Sequence, residues 1–154
     1  MLRSSNALPR HQRHSLLSAR RQALLQDSGD AVSAGDDLYT SLRVLDEALF
    51  TLVRMKAWRD LGIRRIEDLR DYIRAYGYKP FKEEMGKLRD FVKEAGITVL
   101  EDKAQLQEVI EAIKRLNLLP ADTIIALTCR HYGIDTILTF DEDFRRVPWL
   151  RVLP

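Results

Sequence analysis

Two consecutive runs near the carboxyl end decide the fold: Leu119-Pro120-Ala121-Asp122-Thr123-Ile124-Ile125-Ala126, and Gly133-Ile134-Asp135-Thr136-Ile137-Leu138-Thr139-Phe140-Asp141-Glu142-Asp143-Phe144. Pro120 suits the first position of a helix, where its missing N–H costs little, and Gly133 suits the end of one. The run 134–140 is short, apolar and β-branched, which predicts a strand. Helix then strand, closed by a short strand at Leu150-Arg151-Val152-Leu153, is half of an α/β fold.

The same alternation extends upstream. Leu38-Tyr39-Thr40 reads as a short strand, with Ser41 as an N-cap for a helix over 42–60 whose Leu42, Leu45, Leu49, Leu52 and Val53 recur at helical spacing. Gly62 closes that helix. Two further helices are predicted over 64–76 and 79–95, the second with Phe81, Met85, Leu88, Phe91 and Val92 on one side. Ile97-Thr98-Val99-Leu100 reads as a strand, and 103–116 as a helix with Leu106, Val109, Ile110 and Ile113 inward. Alternating strands and helices imply right-handed crossovers and a mostly parallel sheet between helical layers.

Residues 1–26 hold five Arg and two His without one acid, and 27–37 hold four Asp without one basic residue. That division sets a basic, loosely held or partly helical segment (1–37) apart from a folded domain (38–154). The whole chain has 154 residues, 45% hydrophobic and 31% charged, with a net charge of +2. Such a balance excludes low-complexity and wholly disordered chains, and bulk charge does not mark a nucleic-acid binder. Cys129 is the single cysteine, which excludes a disulfide framework and a Cys-rich zinc site and fits a reducing, cytoplasmic setting. No apolar run has the length of a membrane span.

Three acids stand at element ends. Asp141 follows the strand 134–140, at the carboxyl edge where open α/β sheets bind ligands. Asp122 lies in the first turn of the helix begun by Pro120, and Glu47 lies one turn into the helix after Thr40. Each has an ordinary alternative: a helix-start charge for Asp122, a solvated acidic turn for Asp141-Glu142-Asp143, the polar edge of an amphipathic helix for Glu47. Clustered carboxylates without His or Cys select Mg²⁺ or Mn²⁺, ions that activate water and offset charge in phosphodiester hydrolysis. His131 has no Ser or Cys partner, Cys129 reads as a core thiol, and there is no Gly-rich phosphate loop.

These runs, with Arg145-Arg146-Val147-Pro148-Trp149-Leu150 after them and Val44-Leu45-Asp46-Glu47-Ala48-Leu49 upstream, resemble the PIN domain family, VapC-like ribonucleases among them, over about residues 38–154. The resemblance implies a three-layer α/β/α sandwich with a five-stranded parallel sheet, and a metal-dependent endoribonuclease. Glu47, Asp122 and Asp141 would be its catalytic and metal-binding acids, Asp143 a fourth acid or a support, and Thr139 an orienting group. Arg145 and Arg146 would touch the RNA, or serve as ordinary rim charges. Many members are toxins held by an antitoxin, so the resemblance implies RNA and an antitoxin as partners; a homodimer is a separate expectation, and the lack of a long apolar run implies no membrane. The family opens with a strand ending in Asp; here the nearest match, Arg3-Ser4-Ser5-Asn6, puts Ser4 in that place and leaves the first strand short or missing. A shortened or frame-altered nuclease is one account of that loss. The other is a catalytically impaired PIN-fold module that binds RNA or protein. A third reading is an interaction protein with a partner-facing surface of Tyr76, Tyr78, Phe81 and Met85 on the helices over 64–95, residues that otherwise cover the sheet or form a homodimer seam.

Overall fold

The computed structural model describes residues 2–4 and 37–153. The basic, partly helical segment expected over 1–37 lies largely outside the described residues. The chain divides into two compact units, one formed by residues up to Val44 together with those from Glu94 onward, the other by Leu45–Lys93.

The first unit is built on a five-stranded sheet: β1 (Leu2–Ser4), β2 (Asp37–Ser41), β3 (Thr98–Leu100), β4 (Thr136–Leu138) and β5 (Arg151–Leu153), in the order β3-β2-β1-β4-β5. β2 and β3 are parallel, as are β4 and β5, while β1 runs antiparallel to both β2 and β4. Four strands thus share one direction, giving the mostly parallel sheet of an α/β sandwich, with one short strand opposed to them. The fully parallel sheet is not formed. In a strand of three residues few hydrogen bonds decide the direction, and antiparallel pairing is the slightly more stable of the two.

This reversal relocates Ser4. It pairs with Asp37, the first residue of β2, so it lies at the amino edge of the four co-directional strands, not at the carboxyl edge that the resemblance leads one to expect.

Helices α4 (Leu106–Leu116) and α5 (Pro120–His131) cover the sheet. α5 buries Thr123, Ile125, Ala126, Leu127, Thr128 and Cys129, so most of its length is shut off from solvent. It stops where predicted, at Gly133, whose φ of +66° suits glycine. On α4 the inward stripe is Ala112 and Leu116 with Val109 beside them, and Leu106 is 77% exposed. The helix is therefore rotated relative to expectation: the large side chains of Leu106 and Ile110 sit at its margin. The core is completed by Tyr39, Leu100, Ile134, Ile137, Phe144 and Val147.

Leu42 opens α1 (Leu42–Leu61), directly after Ser41. Ser41 is not the expected cap. Its hydroxyl is fully buried and makes no hydrogen bond among the described residues. An acid from the loop after β3 does that work instead, for the Arg43 N–H donates to Asp102 Oδ2 at 3.2 Å.

The second unit carries the rest of α1 with α2 (Ile66–Tyr76) and α3 (Lys82–Glu94), the last preceded by one tight turn, Lys79–Phe81, that Pro80 favours. Its core is Val53, Ala57, Leu69 and Phe81. Phe81 is completely buried, so of the aromatic surface predicted on these helices only Tyr76 and Tyr78 are exposed. An ionic cluster ties α1 to α3: Lys56 Nζ lies 2.6 Å from Asp60 and 3.2 Å from Glu84. Arg59 and Lys56 both donate to Asp60, which holds its carboxyl well below the usual range, at about 2.

Candidate active site

Because β2, β3, β4 and β5 share one direction, the segments leaving their carboxyl ends emerge along one edge of the sheet, where ligands of α/β folds bind. The segment after β4 carries Thr139 and Asp141. Two hydrogen bonds fix it: the Asp141 N–H donates to Thr139 Oγ1 at 3.1 Å, and Asp141 Oδ1 accepts the Asp143 N–H at 2.9 Å. Asp141 thereby caps the short turn Glu142–Arg146, which buried Phe144 and Val147 anchor in the core.

The acids and arginines of this turn are paired. Asp143 Oδ1 lies 3.0 Å from Arg146 Nη2, while Arg146 Nη1 donates to the Asn117 carbonyl at 2.9 Å, joining the turn to the end of α4. Arg145 forks onto Glu142. Both arginines remain exposed.

Asp122 is half-buried in the first turn of α5, where the helix dipole favours a carboxylate. The turn is well defined: the Thr123 N–H and hydroxyl both donate to the Leu119 carbonyl, each at 2.9 Å. Glu47 is exposed on α1 and belongs to the helical unit, whereas Asp122 and Asp141 belong to the sheet unit.

One residue escaped the sequence reading. Asp102 stands two positions beyond the end of β3, on the same edge as Asp141, and serves the amino end of α1. The signal was available, since an acid just past a strand's carboxyl end is the pattern that singled out Asp141.

The other reactive side chains are elsewhere. Burial pushes the Cys129 thiol up to about 12, so it is no nucleophile near neutral pH. His131 ends α5 nine residues after Asp122, which is about 13 Å along a helix axis.

The donor chemistry suits a hard cation, since carboxylates and one hydroxyl offer oxygen alone. The number gathered is smaller than a metal centre needs. Among the described residues no three or more His, Cys, Asp or Glu side chains come together where they could hold one ion.

An α/β sandwich with acids leaving the carboxyl edge of its sheet is the setting of a known family, and the chain belongs to it: residues 14–150 match the PIN domain. Among characterised proteins, the chain is 30% identical to Ribonuclease VapC6 of Methanocaldococcus jannaschii over 111 residues, 71% of each protein. It is 46% identical to Ribonuclease VapC2 of the same organism over 43 residues, which are 28% of this chain and 29% of that one. No solved structure matches it. Among the described residues no helix is long and apolar enough to cross a membrane.

Proposed function

We propose that the chain is a PIN-type endoribonuclease dependent on Mg²⁺ or Mn²⁺, the toxin of a toxin–antitoxin pair, acting in the cytoplasm with RNA as substrate and an antitoxin protein as partner. The observation that carries this reading is the likeness to Ribonuclease VapC6 over 71% of the chain, supported by Asp141 following β4 at the carboxyl edge of the sheet. Glu47, Asp122 and Asp141 are assigned as the carboxylates, with Asp143 beside them.

A bound divalent ion would supply an acidified water and charge compensation at the phosphoryl oxygens. The protein's own part is positioning. Thr139 Oγ1 holds the Asp141 backbone N–H, the Asp143 N–H orients the Asp141 carboxylate, and the first turn of α5 fixes Asp122 at the end of a buried helix. Arg145 and Arg146 are assigned to the RNA backbone, a role in which each exchanges an acidic partner of the turn for phosphate. Cleavage of RNA in Mn²⁺ by the full chain, abolished in an Asp122→Asn, Asp141→Asn double variant, is the expected result.

A second reading is favoured by one pair of observations: no trio of acids is gathered among the described residues, and Ser4 lies at the amino edge. On that reading the chain is a PIN-fold module that binds RNA or protein without turnover. RNA binding that is unaffected by divalent ions beyond ordinary salt screening, with no cleavage, would select it.

A further inference from the structure

One aromatic ring stands bare at the carboxyl edge of the sheet. Phe140 lies just beyond β4, immediately before Asp141, and is 91% exposed. Among the described residues its ring meets no other aromatic ring and no guanidinium. Phe144, on the turn that follows, is buried in the core, so packing accounts for one ring and not for the other. A lone exposed apolar side chain is ordinary on a protein surface. The backbone of this one is pinned on both sides: the Thr139 N–H donates to the Leu153 carbonyl at 2.9 Å, and the Asp141 N–H donates to Thr139 Oγ1 at 3.1 Å.

A second exposed apolar side chain is brought to the same region. Leu119, 69% exposed, precedes α5 three residues before Asp122. The bond from Arg146 Nη1 to the Asn117 carbonyl, 2.9 Å, ties the loop that carries Leu119 to the turn that carries Asp141. Phe140 and Leu119 thus each adjoin one of the assigned acids, and all four residues belong to the sheet unit. The charge beside the ring is acidic on balance: Asp141, Glu142 and Asp143 follow it, with Arg145 and Arg146 as the cations of the turn. A phosphate lying on the ring would meet an excess of like charge, whereas a nucleobase is neutral and presents a flat π face.

We infer that Phe140 is a stacking platform for one base of the RNA, with Leu119 as its apolar wall, and that it thereby places the adjoining phosphodiester at Asp141. This role rests on the ribonuclease reading above, which supplies RNA as the substrate. An aromatic face tolerates any base that is free of a duplex stack. Phe140 therefore sets where the strand lies on the acids, while the hydrolytic chemistry stays with the carboxylates. A bare ring standing out of the surface suits a base, which covers it by stacking; a protein hot spot needs a desolvated pocket.

The test uses the full chain and a short single-stranded oligoribonucleotide carrying aminopurine, whose fluorescence falls when the base stacks. Binding is read in Ca²⁺, a hard cation that offsets the acids, and cleavage in Mn²⁺. Phe140→Ala is expected to weaken binding roughly 5- to 100-fold, the range of one lost base–aromatic stack, and to relieve the quenching. KM rises by a similar factor while kcat holds, since the stack is made equally in the ground and transition states. Phe140→Trp restores both, and Leu119→Ala has a smaller effect in the same direction. Thermal unfolding of all three is unchanged, because neither side chain is part of the core. Equal affinity, quenching and KM in Phe140→Ala and the parent would overturn the inference, as would sedimentation showing a dimer of this chain that Phe140→Ala dissolves. Failure of the ribonuclease reading looks different: the parent then cuts no RNA in Mn²⁺, while quenching still depends on Phe140.

Discussion

Asp141 Oδ1 accepts the backbone N–H of Asp143 at 2.9 Å, so the acid at the carboxyl edge of the sheet is also the cap of the turn that follows. On the proposed reading one side chain serves both the geometry of the edge and its chemistry. Asp141→Asn keeps the cap, because an amide oxygen accepts the same bond, and removes the charge. Asp141→Ala removes both. Cleavage is expected to be lost in each, whereas only the alanine variant loses stability, by about 1 kcal/mol in urea unfolding.

Ser4→Asp provides a test of the sheet. With β1 antiparallel and Ser4 opposite Asp37, a new carboxylate there lies at the wrong edge. Mn²⁺ affinity by calorimetry and cleavage rate are expected to stay unchanged. Restoring a ligand to a metal site should raise affinity by at least the ~10–100-fold that supporting groups contribute, and a gain of that size would place Ser4 with Asp122 and Asp141.

Removing the ring at Phe144 is expected to loosen the turn that carries Asp141. Phe144 is buried in the sheet unit's core, and Phe144→Ala should cost about 3–5 kcal/mol. Thermal unfolding should fall by about 10 °C, and cleavage should weaken even at temperatures where the variant remains folded.

Acid stability should depend on Asp60. Its folded pKa is about 2 against an ordinary 3.8, because Arg59 and Lys56 donate to it. The stabilisation is complete above the unfolded value and disappears as pH falls from about 4 through 2. Asp60→Asn is expected to flatten that part of the stability curve in urea titrations between those pH values, leaving neutral pH cleavage intact.

At the alkaline side the sign reverses for Cys129. Its thiol ordinarily ionises near 9.0 but near 12 when folded, so the unfolded chain releases its proton first and stability declines as pH rises above about 9. A thiol reagent at pH 8 should modify Cys129 only in denaturant.

Features set by local chemistry were legible in the sequence. Pro120 and Gly133 bound α5, and the β-branched run between Ile134 and Thr139 yields β4. Features set by long-range competition were not. The direction of β1 rests on a handful of inter-strand bonds that no pattern in Leu2-Arg3-Ser4 encodes. The inward face of α4 is decided by what packs against it, so Ala112 displaces the larger Leu106 from the core. Ser41 has the right chemistry for a cap, yet Asp102, from 59 residues further on, reaches the Arg43 N–H. Acids at element ends could be named from sequence; whether they gather around one ion depends on side-chain directions fixed by the whole fold.

The most direct measurement is Mn²⁺-dependent cleavage of a structured RNA by the full chain beside its Asp122→Asn, Asp141→Asn variant, with both confirmed folded. Cleavage by the parent that disappears on chelation and is absent in the variant is the outcome expected of a PIN ribonuclease. Equal rates in the two proteins, or no cleavage by either at saturating Mn²⁺, would contradict it.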